Sequence, residues 1–156
     1  MQKRMKEHPL PEEEITSLLG SEAVGRLATL GVDGYPYVIP VHYAFLDGHI
    51  YIHGLAAGEK LENINKNPLV GFEVDSMGSL IHGDGPCNTN TEFKSVIIRG
   101  KAALVEERDE KAAALDAIVA KYAAQHSGSP YPDSMMKMTA VIRITVDSCT
   151  GKQYPG

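Results

Sequence analysis

Tyr37-Val38-Ile39-Pro40-Val41-His42-Tyr43-Ala44-Phe45 is followed by Leu46-Asp47-Gly48-His49 and then by Ile50-Tyr51-Ile52-His53. An Asp-Gly pair between two apolar, β-branched runs is the signal of a tight hairpin, so the flanking runs read as antiparallel neighbours. Ile50 and Ile52 alternate with Tyr51 and His53, the period of a half-buried strand. A second such signal, Val32-Asp33-Gly34-Tyr35, joins Tyr37–Phe45 to an earlier strand, Val24–Leu30. Two hairpins in succession predict a meander of three adjacent antiparallel strands. Pro40 lies inside the middle one, where it cannot donate to a ladder; it marks an edge, a bulge or a break in pairing.

Downstream, His53 leads into Gly54-Leu55-Ala56-Ala57-Gly58-Glu59-Lys60-Leu61. The small residues leave the backbone open to a ligand. Leu61 and Ile64 then fall three apart, as on one helix face, and Asn67-Pro68 stops the helix. A helix start carries unpaired N–H groups and a partial positive charge, and Lys60 adds a full one. The stretch therefore reads as a phosphate seat with His53 at its lip. A lysine in a first helical turn is also an ordinary solvated residue, and the pattern alone leaves both readings open.

The rest of the chain extends the same plan. Pro11–Leu19 reads as a short helix with Glu12, Glu13 and Glu14 at the positive end of its dipole. Leu69–Val74 and Phe93–Val105 read as strands separated by a long Gly-, Ser- and Asn-rich loop, Asp75–Glu92, of the kind that carries function. Glu106–His126 is the clearest helix, with Leu115, Ile118, Val119 and Tyr122 in one apolar stripe. Met135–Met138 leads into a last strand, Thr139–Val146, and a short tail. Six antiparallel strands and three peripheral helices predict a mainly β, single-domain barrel over residues 1–156.

Composition sets the bounds. The chain has 156 residues, is 43% hydrophobic and carries a formal net charge of −5, which argues against general nucleic-acid binding. The basic run Gln2–Lys6 is soon followed by Glu12–Glu14 and reads as a solvated end. No apolar run has the ~20 residues of a membrane span, and no secretory core is present at the start. Two cysteines far apart, Cys87 and Cys149, read as reduced thiols in a cytoplasmic protein.

Candidate chemistry is sparse. His42 and His53 lie on strands that the hairpin places side by side, where they could line one cavity or stand as ordinary strand histidines. With His82 and Cys87 they match no standard zinc spacing, so no metal is assigned. There is no G-x-S-x-G elbow. The Gly-x-x-x-x-Gly-x-Gly run at 78–85 does not lie between a strand and a helix, so it is no dinucleotide fingerprint. Chemistry would have to come from a bound cofactor, and no catalytic residue is assigned.

The order Gly25-Arg26-Leu27-Ala28-Thr29, Tyr37–Tyr43, Ile50–His53, Gly58–Leu61 and Phe93-Lys94-Ser95-Val96-Ile97-Ile98-Arg99-Gly100-Lys101-Ala102 resembles the pyridoxamine 5′-phosphate oxidase-related flavoproteins. Their nitroimidazole-resistance, nitroimidazole reductase-like branch is the most similar. The resemblance covers about Ala23 to Ala102. It implies a six-stranded split β-barrel that pairs as a homodimer with FMN at the subunit interface. Position by position, it implies that Tyr37, Val38, Ile39, Pro40, Val41 and His42 run along the flavin, largely through backbone groups. Ile52 and His53 would flank the ribityl and phosphate region, Lys60 would meet the phosphate, and Ser95 would reach the flavin from the partner subunit. His53 corresponds to the branch's strand-end histidine. Basic residues are sparser here than in the oxidase itself, and the tail Thr150–Gly156 lacks a basic set for a pyridoxine phosphate substrate. The implied activity is an FMN-dependent oxidoreductase acting on a small, nitroaromatic acceptor. The alternatives are a flavin carrier or sensor without turnover, and a haem- or deazaflavin-binding relative.

Overall fold

Alternating apolar residues give more of this chain to strands than to helices, and the strands join one sheet. The computed structural model describes residues 7–154; the Gln2–Lys6 run lies outside the described residues. Helix α1 (Glu12–Ser21) precedes β1 (Gly25–Leu30), β2 (Pro36–Val41), β3 (Tyr43–Leu46) and β4 (His49–Leu55). Then follow α2 (Glu59–Lys66), β5 (Leu69–Ile81), β6 (Asn90–Leu104), α3 (Arg108–Tyr122), α4 (Asp133–Met138) and β7 (Thr139–Tyr154). The sheet has seven strands in the order β2-β1-β5-β6-β7-β4-β3, every pair antiparallel.

The count differs from the predicted six because Tyr37–Phe45 is two strands. β2 pairs with β1, and β3 pairs with β4, and these lie at opposite ends of the sheet order. His42 alone separates them. Two Cα steps of ~3.8 Å each cannot bridge the width of a flat seven-stranded sheet, so the sheet rolls until its two edges almost meet. The product is a barrel with an unpaired seam, split at His42. The proline signal was sound in kind: Pro36 and Pro40 both lie on β2, an edge strand, where missing donors are tolerated. The meander of three adjacent strands is likewise corrected, since β1 and β4 touch only different halves of the divided strand.

The long loop is also corrected. β5 and β6 remain paired far past Val74, with Asp75 opposite Ser95, Ser76 opposite Lys94 and Met77 opposite Phe93. A register shift between Met77 and Leu80 follows, and pairing resumes at Leu80–Thr91. This arm is mostly exposed, so it needs no apolar alternation, and its glycines and serines hide it from pattern reading. β7 likewise continues through the predicted tail, with Tyr154 opposite Phe93. The predicted helix Glu106–His126 is shorter than expected: the Glu107 side chain accepts from Glu110 N–H and caps α3 there. The Met135–Met138 run is helical, a fourth helix that the sequence reading left out.

Two apolar clusters hold the barrel. The interior gathers Leu27, Tyr43, Ile50, Ile52, Phe72, Val74, Ile98 and Ile142, with Leu18 and Leu19 of α1 and Leu61 and Ile64 of α2. Outside, α3 and α4 cover β4 and β7 through Tyr51, Leu115, Met136 and Val141. β4 is therefore buried on both faces at its centre, Ile50 and Ile52 inward and Tyr51 outward.

Candidate functional site

Among the described residues no ladder joins β2 to β3, and a side chain fills this seam. The Tyr122 hydroxyl, at the end of α3, accepts from Tyr43 N–H at 3.1 Å. It also lies 3.0 Å from the Tyr43 carbonyl and 2.9 Å from the Ala23 carbonyl. Its single proton serves one carbonyl at a time, on β3 or on the segment leading into β1. The same ring stacks on His42, with centroids 4.4 Å apart and planes 18° from parallel. Beside it, Lys121 donates to the Leu19 carbonyl at 3.1 Å and places its ammonium 3.8 Å from the Tyr43 ring centroid. Burial pushes the Lys121 amine down to about 8, against the opposing pull of Glu22. Tyr122 and Lys121 were missed as site residues because the stripe Leu115–Ile118–Val119–Tyr122 looks like core; Tyr122 differs only in its hydroxyl.

His53, near the end of β4, is the next residue of the cluster. Desolvation lowers its pKa first, and then the positive neighbours His42 and Lys60. The Tyr43–Ile52 pairing brings the chain at His42 alongside His53, as the hairpin reading expected. Lys60 folds back over the turn: a Cβ on Gly54 would lie 2.6 Å from its Nζ. The ammonium thus rests on a patch of bare strand that only glycine leaves open. Gly58 begins α2 with φ +126° and no side-chain cap, and Leu61 and Glu62 N–H both donate to its carbonyl. Gly58 is conformationally required here, since φ in this range strains any other residue.

The His53 shift has a signed consequence. The folded chain takes up this proton less readily than the unfolded chain, whose histidine titrates near 6.5. Below that pH the unfolded state is protonated first, so stability is expected to fall as the pH drops from about 6.5 through the lower folded value. Urea unfolding between pH 7.5 and pH 5 measures it, and His53→Gln is expected to flatten the dependence. An unchanged slope in that variant would assign the effect to another group.

The other sequence-derived residues divide by face. Tyr37, Ile39 and Val41 are half-buried, and Val38 and Pro40 stand exposed on the opposite face of β2. Ile52 is fully buried in the core; it fixes β4 and leaves His53 to present the side chain. Ser95 lies on β6, two strands from β4, opposite Asp75 and Lys152. Its Oγ is shielded from solvent and has no hydrogen-bond partner among the described residues. One chain therefore brings His42, His53 and Lys60 together and holds Ser95 apart. Among the described residues no group of three His, Cys, Asp or Glu is placed to hold a metal ion, and no helix is long and apolar enough to cross a membrane. Cys87 and Cys149 are both free and exposed.

The residues present fit a phosphate-bearing cofactor. An ammonium on bare backbone, two imidazoles and an uncapped helix start favour a dianion. The orphaned Ser95 hydroxyl is a polar atom with capacity to spare.

The chain is similar to proteins of known name. Over 98 residues it is 36% identical to the 5a,11a-dehydrotetracycline/5a,11a-dehydrooxytetracycline reductase of Streptomyces rimosus, a match covering 60% of this chain and 63% of that one. The chain thus spans less than two thirds of that relative's length. Its fold is similar to that of a candidate 5-nitroimidazole antibiotic resistance protein from Bacteroides thetaiotaomicron, with TM-score 0.82 and 25% identity over 92% of this chain and 84% of that one. A FAD-binding protein from Mesorhizobium loti superposes with TM-score 0.66 and 28% identity, covering 93% of this chain and 96% of the other. The family model described as pyridoxamine 5′-phosphate oxidase matches residues 11–153, and the chain belongs to that family.

Proposed function

We propose that this chain is a flavin-dependent reductase that holds FMN at a homodimer interface and passes electrons to a small aromatic acceptor in the cytoplasm. The observation that carries the reading is the Lys60 ammonium lying over Gly54, beside His53 and His42. The bound flavin would supply two-electron transfer between a reduced nicotinamide and the acceptor. For a nitro acceptor the balance is simple: the nicotinamide loses a hydride, and the nitro group takes two electrons and two protons and leaves as nitroso plus water. In this chain Lys60 and the first amides of α2 hold the phosphate. Tyr37–Val41 lie along the ring system, and Ser95 of one subunit serves the flavin seated on the other. His42, its ring stacked on Tyr122, or His53 beside it would hold or deliver a proton. The Streptomyces rimosus relative is named as a reductase, which supports turnover over storage.

The visible spectrum of the purified protein, alone and after adding FMN, tests the reading. Flavin bands that bleach under anaerobic reduced nicotinamide are expected. Chromatography of the released cofactor is expected to give FMN and no FAD. A protein that binds no flavin, or that shows a Soret band instead, overturns the proposal. A flavin that never bleaches with either nicotinamide reduces the protein to a carrier.

A further inference from the structure

A second set of groups gathers away from the seam, where β6 begins and β7 ends. Phe93 and Tyr154 are register partners, as are Ser95 and Lys152 two residues along, so all four side chains share one face of the ladder. The Lys152 ammonium lies 5.3 Å from the Phe93 ring centroid. The His8 ring meets Tyr154 edge-on at 5.8 Å, anchored because Gln153 N–H donates to the His8 carbonyl at 3.0 Å. With the polar side chains of residues 89–91, His8, Phe93, Lys152 and Tyr154 line an open cavity of about 550 Å³, in the size range of small-molecule sites. Glu7 is the acidic residue of its lining.

The chemistry of the lining is specific. Two rings offer flat apolar walls, one ammonium supplies a full positive charge at their edge, and hydroxyl and amide groups complete the rim. None of these residues has a part in the phosphate seat. We infer that the cavity binds a planar nitroaromatic anion, held by its carboxylate or phenolate through Lys152 and the Phe93–Tyr154 walls, and that this anion is the electron acceptor: its nitro group would take two electrons and two protons, with a reduced nicotinamide as the hydride source, and leave as nitroso plus water. The binding stands on the cavity alone. The acceptor role rests on the proposed function, in which Ser95, the register partner of Lys152, reaches the flavin seated on the other subunit.

Isothermal titration of the full chain with 4-nitrobenzoate, with and without FMN, tests it, and nitrobenzene serves as the uncharged control. Lys152→Gln is expected to weaken 4-nitrobenzoate about tenfold, the loss of one charge-assisted contact, and to leave nitrobenzene and FMN affinities unchanged. No 4-nitrobenzoate binding, or binding indifferent to Lys152→Gln, overturns the inference. If Lys152→Gln weakens FMN as much as 4-nitrobenzoate, the cavity belongs to the flavin and the inference also fails. Should the protein bind 4-nitrobenzoate through Lys152 yet never bind FMN, the anion site stands and the flavin reading falls.

Discussion

Tyr122→Phe is expected to lower the unfolding free energy by about 2–3 kcal/mol, although it removes a single oxygen. The ring would keep its stack on His42, so packing is conserved. What is lost is the partner of Tyr43 N–H and of the Tyr43 carbonyl, both served by that hydroxyl. Tyr43 is fully buried, and a backbone donor or acceptor left unpaired there costs its full desolvation. The loss falls at the seam, where among the described residues no ladder joins β2 to β3, so neighbouring strands cannot share it. Urea unfolding of the wild type and of Tyr122→Phe measures the effect. Tyr122→Leu is expected to cost more, because it also unstacks His42. A Tyr122→Phe variant as stable as the wild type would show that water, and not the hydroxyl, satisfies the seam.

Reading the sequence failed and succeeded here for separable physical reasons. Asp33-Gly34 and Asp47-Gly48 are local signals, and both turns form; Gly34 and Gly48 have φ of +89° and +77°, which is what such turns demand. The division of Tyr37–Phe45 is not local. Nothing in those nine residues says that their halves pair at opposite edges of one sheet; that depends on β5, β6 and β7 filling the space between. Pro40 announced an interruption without its position, which falls at His42. The arm past Val74 was hidden because exposed pairing needs only backbone groups, and Gly78 and Ser79 look like loop in any window. For the candidate site, His53 and Lys60 were legible since one strand and one helix start bring them together. Tyr122 was not, because its role depends on α3 crossing the seam, a contact between residues 79 apart in the chain.

Lys60→Ala is expected to weaken FMN binding by about 2–3 kcal/mol, roughly 30- to 150-fold, the cost of removing one charge-assisted contact to a phosphate. Folding is expected to change little, since the ammonium lies over the turn and not in the core. That result alone would not distinguish a phosphate seat from a general loss of positive charge. Gly54→Ala does. Its Cβ would come 2.6 Å from Lys60 Nζ and 3.4 Å from Cε, so the lysine must swing off the strand. The atoms displaced are the far end of a flexible side chain, so the displacement is cheap for the fold. Gly54→Ala is therefore expected to weaken FMN binding about tenfold with an unchanged Tm. It acts only by moving Lys60, so in a Lys60→Ala background it has nothing left to displace, and the double variant is expected to bind FMN no worse than Lys60→Ala alone. Additive losses would mean that a ligand meets the Gly54 backbone directly and that the lysine has a separate task. Full FMN affinity in both single variants would remove the seat from the protein.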